Sequence, residues 1–134
     1  AKIIEVGTRA VCKEELNYTK KAGIEFLTAQ QIRNEGTKQI VKRLKEKLAN
    51  YENLYLSIDM DVLDPAYTPA VQNPEPEGLE THTLLNILYN ICDNRVTGFD
   101  VTEVAPNFDQ GVSAIQAAKI ILETLCFIEK SRKT

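Results

Sequence analysis

The chain has 134 residues, 43% of them hydrophobic and 26% charged, about one domain's worth and too apolar for disorder. Its formal charge of −3, from 16 basic and 19 acidic side chains, weighs against nucleic acid or an anionic membrane as partner. No apolar run approaches the roughly 18 residues of a membrane span, and a chain of this size can bury a core without disulfide or metal staples.

Four short apolar runs rich in strand-forming residues occur at residues 2–7, 23–27, 54–60 and 95–101. Stretches with helical spacing lie between them. Thr28 with Gln31 three residues on forms a capping-box pattern, opening a short helix that Gly36 interrupts. Ile40, Val41, Leu44 and Leu48 then recur on one face of a second helix, with Lys42, Arg43, Lys45, Glu46 and Lys47 opposite. A third, starting near Glu80 or Thr81, carries Leu84, Leu85, Ile87, Leu88 and Ile91. A fourth carries Ile115, Ala118, Ile121, Leu122 and Leu125 and runs into a basic tail over residues 130–133, where positive charge suits a helix C-terminus.

Strands alternating with helices predict an α/β fold with a parallel sheet. The run from Leu54 to Ile58 is apolar except for Ser57, the composition expected of a strand covered on both faces. Residues 63–78 form a long irregular segment holding Pro65, Pro69, Pro74 and Pro76. It follows the C-terminal end of a strand, where open parallel sheets place their ligands. Cys12, Cys92 and Cys126 are scattered and form no CxxC pair; they read as buried thiols in a reducing, cytoplasmic compartment. The only methionine is Met60, and the chain opens directly into Ile3-Ile4-Glu5-Val6. Initiator removal before Ala1, or a chain that begins within a fold, both accommodate this start.

Asp59 and Asp61 stand one residue apart at the end of the third apolar run. Period-2 alternation would send both carboxylates to one face, where hard oxygen donors suit Mn²⁺ or Mg²⁺. Capping of the following turn accounts for the pair equally well. Asp64 before Pro65 reads as a turn residue.

The wider context is more specific. Ser57-Ile58-Asp59-Met60-Asp61, then Pro65, Pro69-Ala70 and Gly78, resemble the signature of the ureohydrolases (arginase, agmatinase and relatives). Val6-Gly7-Thr8-Arg9 is similar to the Gly-x-Arg strand end that precedes this signature. The segment from Gly98 through Glu103 to Pro106 is similar to a later strand whose glutamate lies in the substrate pocket. The resemblance implies an agmatinase-like hydrolase with two Mn²⁺ ions per complete active site. Asp59 would bridge both ions and Asp61 would bind one of them. Glu103, which on the sequence alone is equally an ordinary loop carboxylate, would hold the guanidinium of a small substrate. Water activated by the metal pair would attack the guanidinium carbon and release urea, with agmatine converted to putrescine.

Two departures from the family pattern stand out. Ala70, Gln72 and Glu77 replace glycines of the signature loop, and Gly-compatible backbone angles are less available to them. The family's Asp-Ala-His-x-Asp and Gly-Gly-Asp-His segments are missing, and the only histidine, His82, sits in a helix's first turn as an exposed polar residue. The family fold is a three-layer α/β/α sandwich on an eight-stranded parallel sheet, about four strands of which are present here. Residues 1–134 therefore read as a single domain, the C-terminal part of that fold. The expected partners are the missing N-terminal half, as a companion chain or part of one precursor, and further copies in a homo-oligomer. The rival reading is a non-catalytic fragment of the same fold lacking the upstream ligands.

Overall fold

The computed structural model describes residues 1–133. Its strands are β1 (Ile4–Thr8), β2 (Glu25–Thr28), β3 (Leu54–Asp59) and β4 (Val96–Thr102). Its helices are α1 (Lys13–Ala22), α2 (Ala29–Glu35), α3 (Thr37–Leu48), α4 (Thr81–Ile91) and α5 (Val112–Arg132). All four expected strands form, within two residues of the expected bounds at each end.

Local chemistry explains several boundaries. The Thr28 hydroxyl accepts the Gln31 N–H at 3.1 Å while Gln31 Oε1 accepts the Thr28 N–H at 2.8 Å, the reciprocal box read from the sequence. Gly36 at φ 81° separates α2 from α3. α1 was not expected. Its N-cap is Cys12, whose Sγ accepts the Glu15 N–H, and a thiol lies outside the usual capping set of Ser, Thr, Asp and Asn. Thr19 is its one buried residue, so there is no apolar stripe to read.

Both strand pairings are parallel, β1 with β2 and β3 with β4. Among the described residues they form two separate two-stranded sheets rather than one of four. α2 packs on β1 and β2; α3 packs on α4, α4 on α5, and α5 on β4. The core runs through Ile40, Leu44, Ile58, Met60, Leu63, Ile87, Leu88 and Ile120. Buried in it, the Cys92 thiol is pushed up to about 12 by desolvation. Cys12 and Cys126 are exposed, so the expectation of buried thiols holds for Cys92 alone. Cys12 stands at the N-cap of α1, which has one buried residue, and Cys126 lies on the side of α5 turned away from the core.

Two expectations about faces are corrected. β3 is covered on one face: Leu54 and Ile58 are buried and Leu56 half-buried, while Tyr55, Ser57 and Asp59 are exposed. α5 turns Ser113, Ala117, Ile120, Thr124 and Ile128 inward. Ile115, Leu122 and Leu125, expected on the packed face, remain 70%, 58% and 51% exposed. α5 is apolar on two sides, and a helix that is apolar nearly all round is built for burial. Among the described residues, no helix is long and apolar enough to cross a membrane.

Candidate metal and substrate site

β3 ends at Asp59, and Met60–Val62 is a single 3-10 turn. Period-2 alternation therefore stops before Asp61, and the two carboxylates come together for a different reason. Asp59 caps the turn: its Oδ1 accepts the Asp61 N–H at 2.8 Å. Asp61 is drawn back against the following loop, where its Oδ2 accepts the Asn73 N–H at 3.1 Å. Its Oδ1 is buried and has no hydrogen-bond partner among the described residues.

An orphaned buried carboxylate oxygen is costly. Desolvation pushes the Asp61 carboxyl above its ordinary value; the Asn73 N–H opposes this shift, the Asp59 charge adds to it, and the Arg9 charge and the Gln72 N–H also oppose it. A hard cation would satisfy Oδ1 and offset the Asp59 repulsion together. The pair thus fits as part of a metal site. Among the described residues there is no group of three or more His, Cys, Asp or Glu able to hold an ion.

Glu103 follows β4 directly, and in the parallel register Asp59 is opposite Thr102, which brings Glu103 to the same sheet edge as the acids. Its φ is 66°, the left-handed region that costs a non-glycine residue roughly 1–2 kcal/mol. Flanking contacts hold it there. Val104 pairs with Val71 in an antiparallel bridge, and the Ala105 N–H donates to Ala70 O at 2.9 Å. Strain of this kind persists where surrounding structure over-determines it, and it clusters at functional sites.

The loop after the turn is irregular yet packed. Leu63, Thr68, Ala70 and Val71 are buried, and the Ala70 N–H donates to Ser113 Oγ at 2.9 Å. Asp64 is structural, as its Asp-Pro context indicates: its carboxylate accepts the Ala66 and Gly78 N–H groups, which hold it below its ordinary value. Gly78 is sterically required, because a Cβ there would lie 2.4 Å from Asp64 N and 2.5 Å from Leu63 C. Of the three glycine replacements, Glu77 alone takes a positive φ, at 64°. Ala70 and Gln72 keep ordinary angles, so the loop keeps its path at the expense of strain at one residue. His82 is exposed in the first turn of α4.

Sequence reading missed three groups here. Asp100 accepts from Tyr55 Oη and Ser57 Oγ, both at 2.8 Å, forming a polar patch on the open face of β3 that also carries Asp59. Ser113 meets the loop from α5. Arg9 donates to the Asp61 and Glu75 carbonyls. Arg9, in its Gly-x-Arg setting, and Asp100, within the segment from Gly98 to Pro106, lay in motif segments without a role assigned to them; Ser113 had no signal.

A sequence profile of the arginase family matches residues 1–126. An agmatinase of Neisseria meningitidis serogroup C is 33% identical over 97% of this chain and 40% of its own length. A mitochondrial arginase 1 of rice is 34% identical over 96% of this chain and 37% of its own. The crystal structure of the agmatine ureohydrolase of Thermoplasma volcanium superposes with a TM-score of 0.87 at 30% identity, over 98% of this chain and 43% of that one. The chain spans about 40% of the length of the curated agmatinase it matches.

Proposed function

The chain belongs to the arginase family, and from that membership we propose that it is the C-terminal part of a ureohydrolase that cleaves a guanidinium C–N bond and releases urea. The observation that carries this reading is the buried, unpartnered Oδ1 of Asp61 beside Asp59. It is an arrangement that a cation would satisfy and that a purely structural turn would not call for.

In this reading Asp59 and Asp61 supply two carboxylate ligands. Two manganese ions held there would supply the Lewis acidity that brings the pKa of water toward neutrality. Glu103 faces the cationic guanidinium, whose planar donor fork a carboxylate complements. The strained backbone at Glu103 and its bracketing contacts fix where that carboxylate starts. Agmatine is the substrate proposed, supported by the relatives named as agmatinases.

The remaining ligands and the rest of the sheet would come from a companion polypeptide or from the same precursor. The split sheet, the open face of β3 and the exposed second face of α5 support this. The rival reading, a non-catalytic fragment, has in its favour the absence of a three-ligand cluster among the described residues. One experiment separates the two. Elemental analysis of the assembled protein, with urea release from agmatine, arginine and guanidinobutyrate, is compared with Asp59→Ala and Asp61→Ala. Each variant should lose bound manganese. Unchanged metal content in both would refute the ligand assignment.

A further inference from the structure

Arg9 lies just past β1, whose sheet is separate from the one in which β3 runs into the turn that carries Asp61. Gly7 allows the approach: it has φ 94°, and a Cβ there would meet Val62 Cγ2 at 2.3 Å. The half-buried Arg9 guanidinium then spans the loop. Nη2 donates to Asp61 O at 2.5 Å and to Glu75 O at 2.7 Å, with a longer 3.4 Å contact to Leu63 O, and Nε donates to Glu75 O at 3.0 Å. Asp61 is thereby held twice, by its carbonyl through Arg9 and by its Oδ2 through the Asn73 N–H. Asn73 is two residues from Glu75, so the contacts close a ring: Arg9, Asp61, Asn73, Glu75 and back to Arg9. The one carboxylate oxygen of Asp61 outside that ring is Oδ1, the orphaned atom.

We infer that Arg9 is a positioning residue: by clamping the Asp61 and Glu75 carbonyls together it fixes the Asp61 carboxylate with Oδ1 free for a metal ion. This rests on the metal-ligand reading of Asp61. A guanidinium suits the task because it presents several donors in a rigid plane, whereas an ammonium is a single point. Arg33, which donates to Glu77 O at 3.1 Å on the same loop, makes no hydrogen bond to Asp61 and provides the internal control.

The test uses the complete enzyme in five forms: wild type, Arg9→Ala, Arg9→Lys, Arg33→Ala and Asp61→Asn. Two readouts are taken: the manganese Kd by titration, and hydrogen exchange at the Asn73 amide in metal-free protein. Both Arg9 variants should raise the Kd by roughly tenfold to a hundredfold, the range seen when groups that orient metal ligands are removed. They should also lose protection at Asn73, and Arg33→Ala should do neither. If Arg9→Ala does not fold, Arg9→Lys decides. Wild-type manganese affinity in a folded Arg9 variant, with Asp61→Asn impaired, overturns this inference alone. Equal loss in Arg33→Ala also overturns it, reducing Arg9 to one of two general loop anchors. Undiminished binding by Asp61→Asn overturns the metal reading and this inference with it.

Discussion

Glu77 and Glu103 share a left-handed backbone, at φ 64° and 66°, and the cost of that conformation serves different ends. Glu77 replaces a family glycine in an exposed loop. Its ion pair with Arg33 is 3.7 Å long between side chains 51% and 78% exposed, and such pairs contribute little. Glu77→Gly should therefore raise stability by about 0.5–1 kcal/mol, strain relief outweighing the added chain entropy. Chemical denaturation would check this, and an unchanged or lowered midpoint would count against the strain argument. Glu103 is held by its neighbours at the sheet edge that carries Asp59. Glu103→Gln keeps the shape and removes the charge, so in the complete enzyme kcat/KM for agmatine should fall more than tenfold, about 1.4 kcal/mol. Manganese content should remain near wild type, because Glu103 is proposed to meet substrate rather than metal. Loss of metal would make it a ligand, and near-normal kinetics would return it to a loop carboxylate. The motif made Glu103 legible; the positive φ was not, since no local rule places a glutamate there.

α5 begins with a polar relay that links helix and loop. Asp109 Oδ2 accepts both the N–H and the Oγ–H of Ser113, at 2.9 and 2.7 Å, and Ser113 Oγ in turn accepts the Ala70 N–H. Ser113→Ala would leave the buried Ala70 N–H without its acceptor, a loss of about 1–3 kcal/mol, readable as a lower unfolding midpoint. The Ser113 hydroxyl, followed by its N–H, holds the Asp109 carboxyl below its ordinary value. A depressed folded-state value means that this stabilisation is present above the ordinary carboxylate pKa and is lost as pH falls through the folded one. Ser113→Ala should accordingly flatten the acid limb of the stability profile, and a profile parallel to wild type would refute the relay. Sequence spacing predicted α5 but not this relay, because Ser113 and Ala70 are 43 positions apart. α1 was missed for the converse reason: capping and an αL C-cap at Gly23 define it, with almost no buried face behind it.

At the scale of the whole molecule, the apolar surface exceeds what this chain can cover. Leu122 and Leu125 are more than half exposed on α5, while Tyr55 is 65% exposed on β3. In the isolated chain, Leu122→Glu and Leu125→Glu should change stability by no more than about 0.5 kcal/mol, as surface substitutions do. In the complete enzyme the same changes would bury a charge and should abolish assembly by size-exclusion chromatography. Normal assembly would show that this face is not the one that the rest of the protein covers. A verified 134-residue chain should release no urea unaided, and wild-type-like turnover would overturn the partial-site reading.

The sequence by itself determined the four strands, the Thr28–Gln31 box, the break at Gly36, the inward faces of α3 and α4, and the signature acids with their family. These are encoded within a few residues, in caps, periods and spacing. Tertiary structure alone decided that the strands form two pairs and that β3 is covered on one side. It also decided which of two apolar faces α5 turns inward, and that Asp61 meets Asp59 through a 3-10 turn and a loop held by Arg9. A local pattern fixes which residues share a face. Which face is buried depends on surfaces brought in from distant sequence, and for α5, apolar on two sides, the pattern admits both answers.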